Sequence, residues 1–388
     1  MFALLLTLIY VAFISYGLAE SPLGAAWPVI RTQMDVPVSY AGIITVLTGI
    51  GTVTATLNSD RLTRKFGAGQ ITAAAVFIIG VAMFGYSVSG SFWVLCLFAL
   101  PYGLGTGSID AALNNYVALH YKSRYMSWLH CFWGAGAMIS PVLMGYFLTN
   151  NLGWRMGFKS ISIFQIILAV VLVASVPLWQ KRPTEQADGK PTAALSLAEI
   201  LRIKGVKHML VAFAAACAIE ATVMLWTTSY LVFARGIAAE TAAKYMSVYF
   251  FGIMAGRFLS GFVADRVGDR RMIWASAAVL FLGITVLGLP AGSGREWVYI
   301  CGLLVIGLGC APIYPAVIHS TAENFGAEKS QSIIGVQMAS AYLGIVLVPP
   351  VFGLIAGSVG AWLLPVFLLT LLIIMAIILK KFYRRRSG

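Results

Sequence analysis

Twelve stretches of about twenty mostly apolar residues follow one another along this chain almost without pause. That is the length a helix needs to cross a hydrocarbon core of roughly 30 Å. No other feature restricts the fold as tightly, because a backbone in a bilayer has no water to bond to and must satisfy itself as helices or as a closed barrel. Barrel strands come as short alternating segments, whereas these runs are continuous, so twelve transmembrane helices are expected. They fall near residues 4–30, 39–59, 68–88, 92–119, 126–149, 157–179, 208–233, 240–262, 272–290, 297–320, 331–356 and 361–380. Composition agrees: 60% of the 388 residues are hydrophobic and 11% are charged.

A net charge of +13 would suit a nucleic-acid partner, but the basic residues sort by membrane side instead. With the N-terminus inside, 20 of the 27 Lys and Arg fall in cytoplasmic segments and 6 outside, while Arg257 lies within a span, as the positive-inside rule requires. The reading is a multi-pass protein of the inner or plasma membrane with both termini cytoplasmic and no nucleic-acid partner. The tail "KKFYRRRSG" reads as an orientation and lipid-headgroup anchor. The first run continues past Glu20 and Pro22 without a basic leader, which marks it as a permanent span. The five cysteines all lie in apolar spans with no C-x-x-C pair or clustered histidines, so neither a metal nor a cofactor is expected. No nucleophile–base–acid set or phosphate loop suggests an enzyme. A monomer is expected.

Residues 180 to 207 form the only long polar stretch, midway between the sixth and seventh runs. The expected organisation is a six-helix bundle over 1–180, a cytoplasmic linker over 181–207 and a second six-helix bundle with its basic tail over 208–388. Within the linker, "SLAE" has the capping-box pattern of a short interfacial helix. Comparing the halves at an offset near 200 exposes an internal repeat. "NSDRLTRK" answers "GFVADRVGDRR", pairing Asp60 with Asp265; "YGLGTG" answers "IGLGCA", setting Asp110 opposite Tyr314; "LAESPLGAAW" answers "AIEATVMLW", pairing Glu20 with Glu220 and Trp27 with Trp226. Two similar units able to rock about a central site are what a transporter needs. The paired loops supply a candidate cytoplasmic gate: Asp60, Arg61 and Arg64 in the first copy, and Gly261, Asp265, Arg266, Gly268, Arg270 and Arg271 in the second, with Glu323 near the end of the tenth run.

These loops resemble the G-x-x-x-D-R-x-G-x-R/K-R/K signature of the major facilitator superfamily. Gly261 to Arg271 match it fully, while Thr56 and Thr63 stand where the first copy should have glycines. A narrower resemblance is to the fucose and glucose/galactose proton symporters. "DAALNN" keeps that branch's acid at Asp110 and asparagine at Asn114, with Asn115 in place of proline; "YP" at Tyr314 and Pro315 is similar to its tenth-span motif. "LHCFWGAGA" puts His130 and Trp133 at its glutamine and asparagine positions. The branch's first-span aspartate is replaced by Gly24, with Glu20 one turn earlier. The resemblance implies a two-bundle all-α membrane fold and proton-coupled solute transport.

Of fourteen acids, only Asp110, Glu20 and Glu220 lie well inside runs. A charged side chain there costs about 2.5 to 3.5 kcal/mol on insertion scales, so it must face a cavity or a partner. A low-dielectric setting favours the neutral form of a carboxyl, which suits a proton carrier, with sodium as the alternative ion. Aromatic faces stack on a sugar's C–H surface while amides and imidazoles take its hydroxyls. Trp27, Asn114, Asn115, His130, Trp133, Trp226, Tyr314 and Gln337 are the candidate cargo contacts. Arg257 is expected to pair with a nearby acid or backbone group, and, as the only basic residue deep in a span, it argues against an anionic cargo. The functional expectation is proton-coupled uptake of a neutral sugar or polyol by alternating access. The alternatives are a drug/proton antiporter exporting organic cations and, less in keeping with the repeated gate loops, a non-transporting membrane receptor.

Overall fold

The computed structural model describes residues 2–121, 123–179, 197–291 and 294–387. In the first half these form α1 (Phe2–Glu20), α2 (Pro22–Gln33), α3 (Ala41–Phe66), α4 (Ala68–Val88), α5 (Phe92–His120), α6 (Ser123–Thr149) and α7 (Gly153–Trp179). A short α8 (Leu197–Arg202) leads into α9 (Val206–Arg235), α10 (Ala239–Val267), α11 (Asp269–Gly288), α12 (Trp297–Cys310), α13 (Ile313–Phe325), α14 (Ala327–Ser358) and α15 (Leu364–Ser387). Among the described residues, eleven helical segments are long and apolar enough to cross a membrane, and the 29-residue α10 completes the twelve. Successive spans alternate in direction, which puts both chain ends and α8 on one face of the array, called here the terminal face. The opposite one is the far face.

Two spans are each built from two helices. Pro22, with no N–H and a ring that would strike the preceding turn, starts α2 after a bend at Ser21. Polar side chains tie this break to its neighbours: the Tyr102 hydroxyl donates to the Ala19 carbonyl at 2.9 Å, and Ser21 Oγ donates to the Ala137 carbonyl of α6 at 2.9 Å. The break places Glu20 at the last position of α1, deep within the span. Pro312 does the same between α12 and α13, two residues before Tyr314.

The internal repeat is visible in the packing. Without hydrophobic drive between helices in lipid, association depends on close backbone approach at small residues. Gly103 on α5 backs onto the Thr48 carbonyl of α3, and its repeat partner Gly307 on α12 backs onto the Tyr249 carbonyl of α10. These contacts set the rotation of α5 that carries Asp110 toward the middle of the molecule. The loop repeat is offset instead. α10 ends at Val267, with Gly268 in the left-handed region at φ +79°, whereas α3 runs on to Phe66 and turns at Gly67, φ +84°. Thr63 occupies the first signature's glycine position, so the helix continues one turn until a glycine permits the reversal.

The bundles meet along α6 against α10, α3 against α14 and α2 against α9. A β-carbon on Gly42 of α3 would lie 2.9 Å from Cβ of Pro350 on α14, and one on Gly134 of α6 would lie 3.4 Å from Met254 on α10; Gly24 of α2 rests on the Met224 carbonyl of α9. Nearer the far face, Arg31 sits 4.9 Å from the Phe233 ring centroid and Lys244 Nζ donates to Thr149 Oγ1 at 3.1 Å. Among the described residues these close approaches lie level with mid-depth or on its far side. Toward the terminal face, Leu57 and Asn58 of α3 and Leu259 of α10 are exposed. The seam is closed at the far face.

Candidate functional site

At the blind end of this seam, polar side chains from both bundles converge. Asp110 is half-buried on α5. Asn114, one turn on, donates from Nδ2 to Asp110 Oδ1 at 2.8 Å and to its carbonyl at 3.0 Å. The other carboxylate oxygen, Oδ2, accepts from the Tyr342 hydroxyl at 3.3 Å. Tyr342 lies on α14, so this bond crosses between bundles.

A second cluster lies beside the first. Trp133 on α6 donates its indole N–H to Glu20 Oε2 at 2.7 Å, and the Tyr16 hydroxyl reaches Glu20 Oε1 at 3.5 Å. The guanidinium of Arg257 on α10 sits 5.0 Å from the Trp133 ring centroid, a cation–π contact that again crosses between bundles. Arg257 Nη2 is 3.6 Å from Glu220 Oε1 on α9, and the two side chains retain 16% and 18% of their exposure. Electrostatic interactions join Glu20 to both Asp110 and Glu220. Three carboxyls and one guanidinium thus share one crevice.

Other sequence candidates lie close by. His130 is half-buried, edge-on to Phe13 at 5.9 Å, and Tyr314 packs at a tilt against Phe213 with ring centroids 5.1 Å apart while its hydroxyl donates to Met338 Sδ at 2.8 Å. Four candidates lie apart from this cluster. Trp27 and Trp226 are completely buried, and their indole N–H groups go to the Val38 and Pro349 carbonyls at 2.9 and 2.7 Å; they are packing wedges toward the far face. Gln337 is also completely buried, with Oε1 accepting from Thr321 Oγ1 at 2.9 Å to tie α13 to α14. Asn115 is exposed, turned about 100° around α5 from Asn114. Tyr16, Tyr342 and Arg257 take part in the cluster without having been singled out as site residues. The i, i+4 spacing of Tyr16 and Glu20 was a usable signal.

Of the gate residues, Asp60, Arg61, Arg64, Gly261 and Asp265 lie outside the residues whose side chains are described, as does the linker's Ser196. At the terminal face, Arg266, Arg270, Arg271 and Glu323 are exposed. Arg270 caps the Tyr383 ring at 4.6 Å, and Asp269 Oδ2 lies 2.7 Å from His319 Nδ1.

A two-bundle array of twelve spans, sealed at one face and carrying charged groups where the bundles meet, defines a membrane transporter rather than an enzyme. A profile of the Major Facilitator Superfamily matches residues 9–349 and 236–388, and the chain belongs to that family. It is 24% identical over 350 residues to the cis,cis-muconate transport protein of Acinetobacter baylyi, covering 85% of this chain and 82% of that one. It is 20% identical over 319 residues to the glucose/mannose transporter GlcP of Bacillus subtilis, covering 80% and 77%. The fold superposes on the crystal structure of a point mutant of the nucleoside transporter NupG with a TM-score of 0.77 at 14% identity, over 97% of this chain and 98% of that one.

Proposed function

We propose that this transporter couples the entry of a proton to uptake of a sugar or related polyol, by alternating access across the inner or plasma membrane with both termini cytoplasmic. The observation that carries the reading is the placement of Asp110: a carboxylate at the blind end of the inter-bundle crevice, held by Asn114 from its own helix and by Tyr342 from the opposite bundle. A proton arriving at Asp110 removes the charge that the Tyr342 bond serves. A hydroxylated cargo offers both donors and acceptors to the Asp110–Asn114 pair. The positive-inside distribution supports the orientation, under which the terminal face is cytoplasmic and the far-face closure makes this an inward-facing state. The gate loops then close the terminal face in the opposite state. A relative named as a glucose/mannose transporter is in keeping with a sugar cargo.

The test is uptake of labelled sugars by proteoliposomes with and without an inward proton gradient. Asp110→Asn is expected to abolish gradient-driven accumulation while leaving counterflow exchange intact; full accumulation in that variant overturns the coupling role. Three carboxyls against one guanidinium also favour a second reading, export of an organic cation, which substrate-driven efflux of cationic dyes would reveal.

A further inference from the structure

The one basic residue deep in a span is held in a way that proton–sugar coupling at Asp110 leaves unused. Arg257 has five N–H donors in a planar fork, yet among the described residues its contacts are the ring face of Trp133 and one oxygen of Glu220 at 3.6 Å. A guanidinium–carboxylate pair built for stability is bidentate, at about 2.7–2.9 Å. This pair is longer and single, and its partly exposed side chains face the crevice. Removing water from an ion pair costs several kcal/mol per ion unless the geometry is excellent, so an imperfect pair at mid-depth is poorly explained as a structural staple.

We infer that Arg257 and Glu220 form a masked carboxylate-binding subsite: a proton taken up by Glu220 releases the guanidinium to hold a carboxylate of the cargo, extending the cargo class from neutral sugars to hydroxylated monocarboxylates such as sugar acids. This rests on the proposed use of the central cluster as the cargo site and specifies one end of it. The balance is simple. One proton from solution adds to a Glu220 carboxylate oxygen, the ion pair with Arg257 is lost, and the cargo anion replaces it. A carboxylated cargo therefore travels with one proton more than a neutral cargo, and the net charge moved per cycle is the same for both.

The surroundings favour such an exchange. Glu220 interacts with Glu20 from α1, Cys217 from its own helix, Tyr249 and Arg257 from α10, Cys310 from α12 and Tyr314 from α13. From α6, His130 and Cys131 interact electrostatically with Arg257. Arg257 is the one fixed positive charge in that set, while Glu20 adds negative potential. Two anions cannot share this guanidinium without repulsion, so a cargo carboxylate and an ionised Glu220 exclude each other. The Trp133 ring face holds the guanidinium by a cation–π contact that leaves its N–H donors unused, while the indole N–H is given to Glu20. Asp110, Asn114 and Tyr342 remain for the hydroxyls. A lone basic residue in the spans speaks against an anionic cargo only when it is counted; placed as Arg257 is, one guanidinium suffices for one carboxylate.

The test is equilibrium binding of D-glucuronate and D-glucose to the purified full-length chain between pH 5.5 and 8, with proton and solute fluxes measured in proteoliposomes. Glucuronate is expected to bind more tightly as pH falls, by up to tenfold per pH unit, and to move with one proton more than glucose. Glu220→Gln should remove that extra pH dependence and hold glucuronate at pH 8 as tightly as the parent does at pH 5.5. Arg257→Lys keeps the charge but loses the fork; it should weaken glucuronate at least tenfold more than it weakens glucose. Its folding is checked by its melting temperature and elution volume in detergent. Glucose binding without glucuronate binding at any pH overturns this inference and leaves the sugar reading standing. An unchanged pH dependence in Glu220→Gln, or equal loss of both ligands in Arg257→Lys, also overturns it. Binding of neither ligand sinks both.

Discussion

The far-face closure of the α3–α14 seam depends on Gly42. Replacing it with alanine puts a methyl carbon 2.9 Å from Cβ and 3.0 Å from Cα of Pro350, whereas carbon atoms in contact settle at about 3.5–4.0 Å. The overlap is roughly 0.5–1 Å. Pro350 cannot relieve it by changing rotamer, since its side chain is a ring closed on the backbone. Either the closed seam bears an overpacking cost of about 1–3 kcal/mol, or the bundles part there. The second route is open to a molecule with two arrangements, because only the closed one contains the clash. The same 1–3 kcal/mol corresponds to a shift of about 5- to 150-fold in the equilibrium between them.

A spin-label pair measures that shift. Leu152, between α6 and α7, and Trp297, at the start of α12, are exposed at the far face on opposite bundles. With nitroxides on cysteines at these positions, and Cys131 and Cys301 changed to serine, Gly42→Ala should transfer population to longer distances. Gly90→Ala is the control, since a β-carbon there meets nothing within 4 Å. A distance distribution in folded Gly42→Ala identical to the parent's would refute the assignment of this seam as the far-face closure.

Two further substitutions separate coupling from packing. Tyr342→Phe removes the cross-bundle bond to Asp110, so gradient-driven accumulation should fall several-fold in proteoliposomes while counterflow stays near parental; accumulation at the parental level would separate that bond from coupling. Trp226→Phe leaves the Pro349 carbonyl without its indole donor, at a cost of about 1–3 kcal/mol, and should lower the melting temperature in detergent while cargo affinity stays within about twofold. A large loss of affinity without a loss of stability would return Trp226 to the cargo site.

The spans were legible in the sequence because a bilayer leaves a backbone few choices, and the repeat was legible because glycines that let helices touch recur at equivalent places. Gly103 and Gly307 are an example: the motif that aligned the halves is also the contact that orients them. Side-chain partners were less legible. The repeat pairs Trp27 with Trp226, but the carbonyls that take their indole N–H groups belong to other segments of the chain. Arg257 precedes the gate loop on its own helix, which directed attention to local acids, whereas its partner is Glu220 of α9. Tyr342 carried no signal at all, since tyrosines are scattered through the spans and only the α14–α5 crossing brings this one to Asp110.

Among the described residues, the polar ties that cross the seam at mid-depth include Tyr342 to Asp110 and Arg257 to Trp133, and in each of these the N-bundle partner is, or is bonded to, a carboxylate. Helices in lipid gain no hydrophobic energy from pressing together, so such ties make up a larger share of what distinguishes one bundle arrangement from another than they would in water. A hydrogen bond to a charged group contributes about 1.5–3 kcal/mol, enough to shift a two-state equilibrium by one to two decades. On the proposed reading, proton and cargo therefore need no separate machinery to act on the fold. Both act on the carboxyls and the guanidinium that anchor these ties, and each changes how strongly the bundles hold one another where the seam would have to slide.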